Sequence, residues 1–555
     1  MLKKKILEDL KKAVKDLGLP AGRQAYHTSD IVCTIPQNPS FGDYTTNVAL
    51  QLAKQLSVVS YQSSVEIANK IVSNLGHLSY LSNLEVKGGG FINFFIKDEE
   101  LVKNANDLGI LQRSPAPQKI LVEYGHVNPL KEIHIGHLRT FFLGESISRI
   151  LEALGHSVFR ANYQGDIGLH IAKAIWGIKK LGLASFLGQA YAEGSRLYEE
   201  DAAVGQEIDQ INTDLYKKEP AIQKVYQQTR TWSLEYFEPI YELLGVKYDR
   251  CFFESEVFER GRQIVEDNIG KVFEKSEGAV IFPGEKYGLH NRVFITKAGN
   301  PTYEGKEMGL AELEYDTFNY GKSVHVVASE QEGYFQVVFK AIELTLPYLT
   351  NKKYHLSYGV VNLKTGKMSS RTGNVVTVDD LYKVTSEKVR EIMKESRSID
   401  QQVVSKVALG AMKFSYLKFS PRPNMVFDLE QSVSLDGDSG PYLQYTNARI
   451  QSILKGADLR FDIEYEGLEI DASERAILRQ LMYFQETVEQ AANMYHPNLL
   501  ASYLIDLARL YNLFYQENRV IGSPKQDFRL KLSLETAEVL KKGLYLLGIE
   551  TPERM

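Results

Sequence analysis

The chain has 555 residues, 44% of them hydrophobic and 24% charged, with a net charge of −5; this is a globular composition, too long for a single core. No stretch reaches the roughly 20 apolar residues of a membrane span, and the charged, amphipathic start is unlike a secretory leader. Cys33 and Cys251 are the only cysteines, which excludes a disulfide scaffold or a cysteine zinc site and fits a reducing cytoplasm.

Helical spacing of Leu2, Ile6, Leu10, Val14 and Leu17 predicts a first helix ended by Gly18 and Pro20. Strands are expected at 84–87 and 91–96 around Gly88–Gly90. With a linker at 113–118, residues 1–112 read as a small α+β domain. Lys119–Tyr124 reads as a buried strand. A loop with Asn128 and Pro129 follows, then a helix from near Leu138 to Gly155 and a strand over 157–163. This is a βαβ unit with a right-handed crossover. A second domain is expected over 119–385, with a helical insertion at about 183–290. Strands are expected at 279–282, 292–296, 324–328, 360–363 and 375–378. Helical pattern dominates beyond residue 380, so a separate all-α domain is expected over 390–555.

Two motifs stand out, His134-Ile135-Gly136-His137 and Lys367-Met368-Ser369-Ser370-Arg371. The first lies between a strand and a helix, where a parallel α/β sheet binds ligands. A helix N-terminus offers free N–H groups to phosphate, Gly136 lets a ligand approach the backbone, and His134 and His137 can donate to phosphate oxygens. Taken alone, two histidines three residues apart also serve simply to pack and cap. A zinc site lacks a third ligand at suitable spacing. The second motif is a polar loop between apolar strands, whose cations and serines suit phosphate. Read alone it is also an exposed basic hairpin. Together the motifs describe a site that binds ATP and transfers its adenylate.

The motifs resemble the signatures of class I aminoacyl-tRNA synthetases, and further segments are similar to the arginyl members of that class. These are Ile35-Pro36, Asn38–Tyr44 with Asn47, Gly90–Asn93, Glu123, Asn128, His134–Arg139, Asn162–Gly168, Pro301–Tyr303, Gly440–Tyr445 with Arg449, and Leu547–Met555. The resemblance implies a multidomain α/β protein: a Rossmann-like parallel-sheet catalytic domain between a small α+β N-terminal domain and an all-α helical-bundle C-terminal domain. It implies activation of L-arginine by ATP with Mg²⁺ as a substrate complex, then transfer to the 3′ end of tRNA, with activation generally waiting for bound tRNA. It also implies no structural metal, no membrane, a cytoplasmic location and a monomer.

By the same resemblance, Glu123, Asn128, Asp166 and Gln331 serve the amino acid, and Tyr303 begins its side-chain pocket. Phe91 and Asn93 meet the tRNA D-loop. Tyr442, Tyr445, Asn447, Arg449, Tyr515 and Met555 serve the anticodon region. Stacking on aromatics and hydrogen bonds to base edges are how single-stranded RNA is read, although tyrosines and a sheet phenylalanine at such spacings also pack cores.

Two positions depart from the pattern. Ser370 stands where the class usually has a lysine that stabilises the leaving pyrophosphate. Arginyl members that lack it tend to carry a lysine three residues before the first histidine, here Lys131, expected to replace it. Glu307 stands where the family has aspartate, four residues after Tyr303 and on the same helix face. A carboxylate suits a guanidinium, but a solvated Lys306-Glu307 surface pair is the other reading. Rival readings are another class I synthetase, a small nucleotidyltransferase, or a non-catalytic tRNA-binding paralogue.

Overall fold

A computed structural model describes residues 2–17, 31–56, 63–106, 108–182, 187–364, 376–395, 400–457 and 468–555, with the backbone alone at 55, 56, 181, 187 and 395. The chain divides into two compact units. One comprises Met1–Leu108, Gly456–Phe484 and Arg509–Val539; the other comprises Gly109–Lys455, Gln485–Ala508 and Leu540–Met555. The C-terminal helices are therefore shared between both units.

The first unit opens with the amphipathic helix Leu2–Lys15, whose Leu2, Ile6, Leu10 and Val14 are buried. Strands β1 (Tyr44–Thr46), β2 (Leu81–Lys87) and β3 (Phe91–Ile96) form an antiparallel sheet in the order β1-β3-β2. Gly88 and Gly90 turn the hairpin at positive φ, and a Cβ on Gly90 would lie 2.8 Å from the Ser64 carbonyl oxygen. The helix Ala472–Met482 docks on Asp98, 2.8 Å from Arg475 Nε, and above all on Asp43, which is 1% exposed. Arg475 Nη1 and Nη2 donate to its two oxygens at 3.2 and 2.9 Å, Ile96 N–H donates at 2.7 Å, and Arg479 Nε lies 3.2 Å away. Nearby, the buried Glu474 receives Arg529 Nε at 2.8 Å and Lys525 Nζ at 2.9 Å.

The second unit is built on β4 (Lys119–Glu123), β5 (Ser157–Gln164), β6 (Arg250–Phe253), β7 (Glu274–Ser276), β8 (Ala279–Phe282), β9 (Arg292–Ile295), β10 (Lys322–Ala328), β11 (Lys353–Tyr358), β12 (Val361–Leu363) and β13 (Met425–Phe427). Five of them form a parallel sheet in the order β11-β10-β4-β5-β6, β7-β8-β9 form an antiparallel sheet, and β12 pairs with β13. The stretch 183–290 includes β6 as well as the helices Leu187–Glu200, Ala202–Tyr216 and Pro220–Leu244. One core cluster joins Leu121 of β4, Ala161 of β5 and Phe252 of β6 to Met308, Val337, Val338 and Ala341. No described helix is long and apolar enough to cross a membrane.

Two expectations need correction. The helix after β4 begins at Ile135, three residues before Leu138, because the His134 side chain caps it. No strand continues through Val378: Thr377 and Asp380 form a capping box there and start the helix Val378–Ile392. Val375, like Gly18 and Pro20, lies outside the described residues.

Candidate active site

The sheet order reverses between β4 and β10. From β4 the chain runs to β5 and β6; from β10 it runs the other way to β11. Right-handed crossovers then put the helices Ile135–Ala153 and Glu332–Thr345 on opposite faces, opening a crevice beyond the strand ends. Glu123, the last residue of β4, is paired in register with His325 of β10 at this point.

His134 Nδ1 accepts the Gly136 N–H at 3.1 Å, and His137 Nδ1 accepts the His134 N–H at 3.1 Å. Both rings thus carry their proton on Nε2 and present it as a donor. They stack at 3.8 Å and 27°. Burial and Lys131 hold His134 below the usual histidine range, and burial with His134 and Lys131 holds His137 well below it. Two neutral donors therefore stand at the positive end of a helix. A Cβ on Gly136 would lie 2.9 Å from the His134 ring, so a larger residue there would displace that ring. Lys131 is half-buried, with Nζ 5.1 Å above the Tyr191 ring.

Lys367, Met368, Ser369 and Ser370 lie outside the described residues. Both flanks of their segment are tied to the first motif. On the C-terminal side, Ile135 N–H donates to Val376 O and Val378 N–H to Ile133 O, each at 3.2 Å, so His134 bridges Thr377. On the N-terminal side, β12 is held by β13. The segment leading to β13 is gripped by the fully buried Arg139, whose Nη2 donates to the carbonyls of Ser420, Pro421 and Pro423 at 3.0, 2.7 and 3.1 Å.

The helix Tyr303–Phe318 brings a second set of groups. Lys306 and Glu307 are 4% and 5% exposed, which rules out a solvated surface pair. Lys306 Nζ instead lies 2.5 Å from Glu254 Oε2 and 3.3 Å from Ile167 O. Glu307 Oε2 is buried with no hydrogen-bond partner. Burial and Glu123 push the Glu307 carboxyl well above the carboxylate range, and burial pushes Glu254 up to about 7 against the pull of Lys306. Tyr303 is 53% exposed and borders a cleft of about 440 Å³ with Lys306, Tyr191, Tyr216, His170 and Lys173.

Asn128 Oδ1 accepts the Gly165 N–H at 2.9 Å. Asp166 is fully buried and saturated: it accepts from Ser255 N at 2.9 Å, Ser255 Oγ at 2.7 Å and Tyr226 Oη, with Arg230 3.5 Å away. Gln331 is exposed and ends a short turn after β10.

Beneath the crevice, Glu123, Glu314 and His325 converge with ligand atoms within 4.8 Å of one another. The ammonium of Lys353 takes the position a metal would seek, 2.9 Å from Glu314 Oε2 and 3.2 Å from His325 Nε2.

The residues expected to meet tRNA fall in both units. In the first, Phe91 is 43% exposed at the start of β3, whereas Asn93 is buried and accepts from Thr45 Oγ1 at 2.7 Å. Tyr515 stacks on the buried Tyr511. In the second, Tyr442 and Tyr445 are half-buried, Asn447 is buried, and the Arg449 guanidinium covers the Tyr445 ring at 4.7 Å. Met555 packs near Val389, Val404 and Val407, and with Tyr445 lines an apolar cavity of about 290 Å³.

Sequence reasoning missed Glu254, Glu314, His325 and Lys353. Glu254 directly follows β6, where α/β sheets bind ligands, and Glu307 and Glu314 are two turns apart on one helix face. Both signals were readable. Nothing local marks Lys353 or His325, which meet only across strands.

Comparison with known proteins agrees with this geometry. Three family models match: the arginyl tRNA synthetase N-terminal domain over residues 2–96, the class I (R) tRNA synthetase catalytic domain over 100–429, and the DALR anticodon-binding domain over 443–555. An arginine–tRNA ligase of Amoebophilus asiaticus is 32% identical, covering 84% of this chain and 86% of that protein. One of Flavobacterium psychrophilum is 30% identical over 88% of each. The structure of Thermus thermophilus arginyl-tRNA synthetase superposes with a TM-score of 0.83 at 26% identity and full coverage of both chains. A parallel sheet with a histidine-capped helix at its switch point, matched by these proteins over 84% or more of the chain, identifies it as a member of the arginyl-tRNA synthetase family of class I aminoacyl-tRNA synthetases.

Proposed function

We propose that the crevice between β4 and β10 is where this arginine–tRNA ligase carries out its reaction. An oxygen of the arginine carboxylate attacks the α-phosphorus of ATP, which enters with Mg²⁺ as a substrate complex, and pyrophosphate leaves. A ribose hydroxyl of the terminal tRNA adenosine then attacks the arginyl carbonyl carbon and AMP leaves. Positioning and charge neutralisation supply most of the acceleration.

His134 and His137 donate their Nε2–H groups to phosphate oxygens beside the free amides of the helix. Gly136 keeps that approach open. Lys131 adds the cation that Ser370 cannot, and Lys367, Met368 and Ser369 close the phosphates from the second motif. Glu123, Asn128 and Gln331 hold the α-amino end. Tyr303, Glu307 and the neighbouring Glu254 receive the guanidinium, with Asp166 bracing that wall through Ser255 and Tyr226. Phe91 and Tyr515 in the first unit, and Tyr445, Arg449 and Met555 in the second, serve tRNA, together with Asn93, Tyr442 and Asn447. The protein works as a cytoplasmic monomer.

The observation that carries this reading is the pair of Nε2–H donors on one capped helix, in a unit that also buries a carboxylate with no hydrogen-bond partner among the described residues. The test is ATP–pyrophosphate exchange with each amino acid, with and without tRNA. Exchange with arginine alone, dependent on tRNA, is expected. No exchange under any condition would leave only a tRNA-binding paralogue. Lysine and canavanine as competitors measure whether Glu307 loosens selectivity relative to aspartate.

A further inference from the structure

The buried end of the crevice holds more acids than bases. Glu307 and Glu314 project from one face of the helix Tyr303–Phe318, and Glu123 comes from β4. Among the described residues Lys353, from β11, is the one ammonium ion-paired with any of the three, 2.9 Å from Glu314 Oε2. It also lies 3.2 Å from His325 Nε2. An ammonium only donates, so that ring nitrogen accepts, and the His325 proton sits on Nδ1, 3.2 Å from Glu123 Oε1. His325 is thus neutral. One oxygen of each acid, Glu123 Oε2, Glu307 Oε2 and Glu314 Oε1, is buried without a hydrogen-bond donor among the described residues.

The remaining neighbours add an imidazole, three phenols and a further acid. His126, after β4, faces Glu123 Oε1 at 3.5 Å. Tyr163 of β5, Tyr320 before β10 and Tyr334 after it are phenols that burial keeps protonated. Glu254 adds an acid already matched by Lys306. Three buried carboxylates against one ammonium is a costly arrangement, and such groups share protons instead.

We propose that the empty arginine site stores a proton on Glu307 and Glu314, the two helix acids that converge with Glu123, and that arriving arginine, the cation these acids lack, expels it to solvent. This rests on the arginine reading above. The carboxyl O–H bond breaks, the proton goes to water, and the carboxylate left behind pairs with the cation; nothing else changes covalently. Glu314 acts as a positioning residue, through Lys353 and Glu307 rather than by touching substrate. Burial raises Glu314 to about 7 and Glu307 well above its usual range. Bound arginine lowers these values again. The sign follows: arginine binds more tightly as pH rises toward the raised values, by up to about tenfold per pH unit for one proton, and levels off above them.

Calorimetric titration of arginine into the 555-residue chain near pH 6, in buffers of low and high ionisation enthalpy, counts the protons. About one proton released per arginine is expected. KM for arginine should fall between about pH 5.5 and 7.5 while kcat changes less. Glu314→Gln removes one acid, and should shrink the proton count and flatten that KM profile. If that variant does not fold, the wild-type count decides alone. Arginine that binds with no proton release and a pH-independent Kd would overturn the inference and leave the arginine reading standing. No arginine binding, alongside exchange driven by another amino acid, would overturn both.

Discussion

The two units each bury a cluster of charge, and the clusters are built on opposite principles. Around Asp43 both carboxylate oxygens are claimed: Arg475 grips them bidentately, Arg479 is beside them, and the Ile96 amide donates as well. Glu474 is matched in the same way by Arg529 and Lys525. Around Glu307 the reverse holds, with three acids, one ammonium and an unclaimed oxygen on each acid. A saturated cluster fixes the packing of its segments. An unsaturated one at the switch point of a parallel sheet is complete only when a cation arrives. Buried charge alone does not mark a site; buried charge left unmatched does.

That contrast can be broken by substitution. Glu307→Gln should have the largest effect, lowering kcat/KM for arginine by about 3–5 kcal/mol, on the order of 10²–10⁴-fold. Its thermal midpoint should hold or rise, because an unpaired buried acid has been removed; a fall in midpoint with arginine kinetics intact would make Glu307 structural. Lys131→Ala should slow arginine-dependent ATP–pyrophosphate exchange by about 3–4 kcal/mol. A normal exchange rate would end its role as the substitute for the lysine missing at Ser370. Asp43→Ala should cost about 2–3 kcal/mol of stability in denaturant unfolding by stranding its arginines, with arginine activation retained. Loss of activation at full stability would erase the distinction between the clusters. Tyr445→Ala should have the smallest effect, weakening tRNA binding by about 1–2 kcal/mol if a base stacks there, with tRNA-free arginine binding as the control.

Much of the site was legible beforehand because its parts are local. A histidine that caps its own helix needs only the spacing of His134, Gly136 and His137, and Glu307 follows Tyr303 by one helical turn. Lys131 was singled out by resemblance, as the lysine that arginyl members carry three residues before the first histidine. The helix start was misjudged by three residues because a histidine cap is uncommon among the usual serine, threonine and aspartate caps. A strand was expected through Val378 because valines favour strands, whereas the Thr377–Asp380 capping box decided for helix.

By itself the sequence determined the parallel-sheet architecture, the two motifs and, through the resemblance those motifs carry, the family, since periodicity, capping and motifs are properties of neighbouring residues. Only the tertiary structure decided which charges are matched. Asp43 meets Arg475 across 432 positions, Arg139 reaches the carbonyl of Pro421 across 282, and Lys353 meets Glu314 across 39. Such pairings depend on which strands lie adjacent and on how deeply water is excluded. No local pattern encodes either, so the distinction between a clamp and a waiting site appears only once the chain has folded.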